Sequence, residues 1–150
     1  MENFLITEKT IALLKKKTKT IIYNVDKVEV INKNIKQILE FNCNYYGSSL
    51  FGRKKCAQNI LNIKYKVPII IEENKNLILI QMNSLRKEEC LFLMTNKIID
   101  YNEINNNLEV YCYNNKIFNI KISKNNFEKL IVNALKLNNI LIWRKNGNLL

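Results

Sequence analysis

Residues 108–113 (LEVYCY) and 116–122 (KIFNIKI) are two apolar, β-branched and aromatic runs separated by Asn114-Asn115. Two such runs around an asparagine pair make an antiparallel hairpin, and this one is the clearest in the chain. It commits the fold to antiparallel β-structure, and the rest of the sequence supplies more of the same. The stretch KYKVPIIIEENKNLILIQM, from Lys64, carries two β-rich runs around Glu73-Asn74-Lys75-Asn76, a second hairpin, with Pro68 marking a strand start or edge. Residues 89–95 (ECLFLMT) and 97–104 (KIIDYNEI) add strand material, and Asn105-Asn106-Asn107 is a polar loop. At the N-terminal end, 3–7 (NFLIT), 11–14 (IALL), 20–23 (TIIY) and 27–31 (KVEVI) read as a meander, with a turn at Glu8-Lys9 and the lysine run 15–19 as a solvated loop or a phosphate clamp.

Three segments change to the helical period. From Lys33, Ile35, Ile38, Leu39 and Phe41 or Asn42 follow helix spacing, with Asn32 as a cap. A second helix spans about 50–61, with Leu50, Ala57, Ile60 and Leu61 on its apolar face and Arg53, Lys54 and Lys55 largely off it. A third runs over about 124–137 behind Ser123, with Phe127, Leu130, Ile131, Ala134 and Leu135 as its stripe, which serves as core or as a dimer face. The expectation is an α+β fold: a single domain over 1–150 of antiparallel strands and hairpins with about three helices.

The segment Tyr45 to Cys56 (YYGSSLFGRKKC) holds two of the chain's three glycines together with hydroxyls, aromatics and cations. Gly47 and Gly52 suit positive φ or close approach to a partner, and Ser48 or Ser49 can cap the second helix. Arg53, Lys54 and Lys55 then fall in or near its first turn, where cations oppose the helix dipole unless an anion is close. Two readings fit: a capped helix with a solvated basic turn, or an anion site built on free N–H groups. Lys plus Arg number 24 against 13 Asp plus Glu, a net charge of +11, which favours a polyanionic partner even after allowing for a lysine- and asparagine-rich composition.

The chain has no histidine, so imidazole acid–base chemistry, Ser/His and Cys/His nucleophile pairs and His-ligated metals are absent. Cys43, Cys56, Cys90 and Cys112 form no CxxC pair, so no structural zinc is expected and the thiols are reduced and buried. No metal, no cofactor and no catalytic residues are expected. With no apolar run of spanning length, the expected location is cytoplasmic and no membrane is involved.

Cys43-Asn44-Tyr45-Tyr46-Gly47-Ser48-Ser49, followed by Gly52-Arg53-Lys54, then Lys66-Val67-Pro68-Ile69 and Glu89-Cys90 before an apolar strand, resemble the ComK family of competence transcription factors in order and spacing. Weaker similarities at Thr10-Ile11-Ala12 and from Tyr113 to Phe127 extend the resemblance over about 10–137. Gln81 and Phe92 depart from the family's usual proline and tryptophan, changes that read as packing differences. The resemblance implies a DNA-binding activator of DNA-uptake genes that recognises AT-rich double-stranded DNA through the minor groove and assembles on it as dimers or higher. On that reading Arg53 enters the groove, Ser48, Ser49, Lys54, Lys55, Lys64 and Lys66 hold phosphates, and Gly47 and Gly52 let backbone approach the DNA. Tyr45 and Tyr46 are base-step wedges or structural tyrosines.

RNA polymerase and a proteolytic adaptor are the further partners the resemblance brings in. Longer family members continue past the last helix, whereas this chain stops at Leu150. A member that binds DNA without activating and modulates a longer regulator is therefore an alternative, and a phosphate-binding enzyme using the Gly47 to Lys55 loop is another.

Overall fold

The computed structural model describes residues 3–147; Met1, Glu2 and residues 148–150 of the expected domain lie outside the described residues. Among the described residues nine strands form two antiparallel sheets: β1 (Thr10–Lys16), β2 (Lys19–Asn24), β3 (Val28–Ile31), β4 (Ile69–Glu72), β5 (Leu77–Gln81) and β6 (Glu89–Met94) in the larger, and β7 (Ile98–Ile104), β8 (Asn107–Cys112) and β9 (Lys116–Ile120) in the smaller. The larger sheet runs β3-β2-β1-β6-β5-β4 and the smaller β7-β8-β9. With three helices, α1 (Ile35–Tyr45), α2 (Leu50–Leu61) and α3 (Lys124–Lys145), this is the α+β architecture expected.

Within the larger sheet β5 (LILIQ) and β6 (ECLFLM) are buried on both faces, which explains why they read as continuous apolar runs rather than alternating ones. Alternate residues serve opposite cores. Leu13, Leu77, Leu79, Cys90 and Phe92 pack under α1, whereas Ala12, Ile78, Ile80, Leu91 and Leu93 face the smaller sheet and α3. The helix α2 touches both cores, through Leu50 and Ala57.

Hairpin chemistry is carried by asparagine in positive φ. The β8–β9 turn holds Asn114 and Asn115 at φ 60° and 58°, and the β7–β8 loop holds Asn105 and Asn106 at 50° and 65°. The lysine run is not a loop: Lys15 and Lys16 belong to β1, which pairs along its length with β2 and β6, and the turn is left to Lys17-Thr18.

Several boundaries differ from expectation. α1 starts at Ile35 because Asn34, not Asn32, caps it: the Gln37 N–H donates to Asn34 Oδ1 at 2.9 Å and the Asn34 N–H donates to Gln37 Oε1 at 3.2 Å, a capping box. Residues 3–7 are not a strand. Their backbone is held mainly by one side chain of α1: the Ile6 N–H donates to Asn42 Oδ1 at 2.7 Å, and Asn42 Nδ2 donates to the Phe4 carbonyl at 2.8 Å. α3 runs to Lys145 because its buried stripe continues through Leu137 and Leu141, while Leu135, expected in that stripe, is half exposed.

Candidate nucleic-acid interface

Ser49 caps α2, its Oγ accepting from the Gly52 N–H at 2.9 Å. A β-carbon on Gly52 would stand 3.0 Å from that oxygen, so Gly52 protects the cap. Gly47, at φ +90°, makes the bend from α1 into α2 that a side chain would strain. The anion that the basic first turn calls for is internal: Glu40 of α1 accepts from the Leu50 N–H at 3.1 Å.

Arg53 is the main departure from the sequence reading. It is 9% exposed and lies on the buried face of α2, one turn from Leu50 and one from Ala57. Its Nη1 donates to Glu73 Oε2 at 2.7 Å, its Nη2 to Glu73 Oε1 at 3.4 Å and its Nε to Ser48 Oγ at 3.1 Å. Glu73 is 3% exposed and also accepts from Lys145 Nζ of α3, at 3.0 and 3.3 Å. Burial pushes the Glu73 carboxyl up, but hydrogen bonds and charge from Arg53 and Lys145 outweigh it and hold the group below the usual carboxylate range. An arginine in this arrangement cannot enter a DNA groove without leaving a carboxylate buried and short of its partner. Ser48 is likewise engaged, donating to the Cys43 carbonyl at 3.1 Å while accepting from Arg53; neither partner is a base that would activate the hydroxyl.

The remaining cations of the segment face outward. Lys55, Lys64 and Lys66 are exposed, and Lys54 is half-buried. Burial lowers the Lys54 ammonium, and the nearby charge of Lys36 on α1 lowers it further. Lys15, Lys66 and Lys54 also converge electrostatically on Cys90 at the start of β6, though burial dominates there and pushes the thiol up to about 11. Lys15, Lys36, Lys54 and Lys66 thus bring positive charge from β1, α1, α2 and the α2–β4 connection to one end of the larger sheet. None has a carboxylate partner among the described residues.

Tyr46 is half-buried and donates to the Ile6 carbonyl at 3.4 Å, while Tyr45 is 60% exposed and packs edge-on against it at 5.0 Å. Sequence reasoning missed Glu40, Glu73 and Lys145 as partners of this segment, and Lys36 as part of the cationic end. The spacing of Leu50, Arg53 and Ala57 was the available signal for Arg53. Among the described residues, no group of three or more Cys, Asp or Glu side chains could hold a metal ion, and no helix is long and apolar enough to cross a membrane.

The family model described as ComK protein matches residues 1–146. The chain belongs to the ComK family. The ComK-family chain is also similar to the competence transcription factor of Bacillus subtilis (strain 168), at 26% identity over 136 residues, covering 87% of this chain and 71% of the relative. No solved structure matches it.

Proposed function

We propose that this ComK-family chain is a transcriptional regulator of competence genes that binds AT-rich double-stranded DNA through the minor groove, assembling as a homodimer or higher on its site and working in the cytoplasm. The observation that carries the reading is the convergence of Lys15 and Lys36, which line one recess, with Lys54 and Lys66 on one end of the larger sheet, none with a carboxylate partner among the described residues. Such a surface suits a polyanion and supplies the phosphate contacts that set register and affinity. Lys54, Lys55, Lys64 and Lys66 keep their phosphate role in this proposal. Gly47, Ser48, Ser49, Gly52 and Arg53 become the scaffold that fixes α2 and so aims Lys54 and Lys55. Membership of the family and the name of the Bacillus relative support the competence role.

Fluorescence anisotropy against AT-rich and GC-rich duplexes across a salt series tests it. The expected result is tighter binding to the AT-rich duplex, with a log–log salt slope of about −0.9 per phosphate contacted. A flat salt response, or equal affinity for the two duplexes, overturns the reading.

A further inference from the structure

With Arg53 buried, the chain has two other arginines, Arg86 and Arg144. Arg144 lies in the last turn of α3, where a cation complements the helix dipole. Arg86 is different. It is exposed, near the middle of the connection 82–88 between β5 and β6, and its guanidinium has no ion pair or hydrogen bond among the described residues.

The loop that carries it is held from several sides. Lys15 Nζ donates to the carbonyls of Leu85 and Lys87, the two residues flanking Arg86. The Arg86 N–H donates to Ser84 Oγ at 3.2 Å, and the Lys87 N–H donates to the Ser84 carbonyl at 3.1 Å. Below them, Asn83 Nδ2 donates to the Glu89 carbonyl at 2.8 Å and its Oδ1 accepts from the Leu91 N–H at 3.0 Å, fastening the base of the loop to β6. A short loop so fixed presents Arg86 from a backbone with little ordering left to do on binding, so the cost that remains is that of the side chain itself.

Cations flank the loop on both sides. On one, Lys36 lines a small recess with Lys15 and Leu85. On the other, Lys66, Lys87 and Lys121 stand on the rim of a groove of about 500 Å³ between the two sheets, floored by Leu14, Leu91 and Phe118. Of the two acids at the loop's end, Glu89 is paired with Lys16 at 3.7 Å, and Glu88 has no ion pair among the described residues. The minor groove is about 6 Å wide, which admits the tip of a turn and excludes a helix. In an A-tract it narrows and its negative potential deepens, favouring an inserted arginine.

We propose that Arg86 is the residue that enters the minor groove, with Lys36 on one side and Lys66, Lys87 and Lys121 on the other holding the phosphates that border it. This rests on the DNA-binding reading above and adds the specificity-determining residue to it. The phosphate-bordering lysines set affinity and salt dependence, and Arg86 sets the preference for A·T over G·C.

The test is anisotropy titration of the wild type, Arg86→Ala, Arg86→Lys and Lys121→Ala against an AT-tract duplex and a GC duplex of equal length, across salt. Circular dichroism confirms that each variant is folded. Arg86→Ala is expected to lose AT-over-GC preference by about tenfold, the scale of one readout position. Arg86→Lys recovers part of it, and Lys121→Ala weakens both duplexes alike and reduces the salt slope by about one. A wild type that prefers the AT duplex, together with an Arg86→Ala variant that keeps the preference, overturns the Arg86 assignment and leaves the DNA reading standing. A wild type that binds neither duplex, or both equally, overturns both.

Discussion

Arg53 on α2 and Glu73 at the start of the β4–β5 turn form a buried ion pair, 2.7 Å between Nη1 and Oε2, with each side chain less than a tenth exposed. Removing one partner leaves the other charge desolvated, which costs more than the pair itself contributes. Arg53→Ala is therefore expected to destabilise the fold by about 3 kcal/mol, toward the low end of such losses because Lys145 still reaches Glu73. Urea unfolding followed by circular dichroism measures this. The double variant Arg53→Met, Glu73→Leu should lose less than either single alanine variant, and a larger loss would show that the pair stabilises as a unit.

The same pair gives stability a pH dependence of defined sign. Glu73 titrates lower in the folded chain than the ordinary glutamate value of about 4.3. Between the two values the unfolded chain binds the proton and the folded chain does not, so stability rises with pH there. The contribution is complete above the unfolded value and is lost as pH falls through the folded one. Glu73→Gln should flatten the acid limb of a midpoint-against-pH curve from pH 6 to pH 3. An unchanged limb would place the acid sensitivity on other carboxylates.

Most of the strands and the α2 boundaries were legible because their signals are local. Asn114-Asn115 marks its own turn, and Ser49 followed by Leu50, Ala57 and Ile60 marks its own helix. What stayed hidden depends on residues far apart in sequence. Arg53 looked like a surface cation because its partner lies 20 residues on, in a stretch that reads as hairpin turn, and the second partner of Glu73 lies 72 residues further still. Position outweighs residue type here: at one turn from Leu50 and from Ala57, Arg53 occupies a core-facing site whatever its charge. Lys15 was obscured in the opposite way, since a run of lysines resembles a loop until β6 is known to pair with β1.

Asn42 substitutes for a missing strand ladder at the N-terminal segment, and that makes it more sensitive than an ordinary helix asparagine. Its amide is fully buried and serves the Ile6 N–H, the Phe4 carbonyl and the Ile38 carbonyl. Asn42→Leu fits the apolar surroundings but strands the segment's polar groups, at about 1–3 kcal/mol for each one left buried without a partner. Limited proteolysis should cut within residues 3–9 of Asn42→Leu well before it cuts the wild type. Equal protection would show that the packing of Ile6 and the Tyr46 bond to its carbonyl hold the segment without Asn42.

Thiol chemistry separates the four cysteines. Burial pushes Cys43 and Cys90 up to about 11 and Cys112 up to about 12, so their thiolate fractions at pH 8 are negligible and their sulfurs are inaccessible. Cys56 on α2 is part-exposed. Native protein should therefore react with a thiol reagent at about one equivalent, and Cys56→Ser should abolish the fast phase. Fast labelling that persists in Cys56→Ser would mean that one of the buried sites opens readily.

The division of the Tyr45 to Cys56 segment into scaffold and contact residues makes a prediction that neither role makes alone. Lys55 is exposed and Arg53 is enclosed two residues away on the same helix. If α2 is aimed by Arg53 and touches phosphate through Lys55, then Lys55→Ala should reduce the salt slope of DNA binding by about one with no change in unfolding midpoint. Arg53→Ala should lower the midpoint, while the fraction that remains folded at low temperature keeps the AT-over-GC preference. A groove-inserting Arg53 requires the reverse: lost AT preference in a fully folded variant. Measuring midpoint, slope and base preference on the two variants in parallel therefore decides which side of α2 meets the DNA.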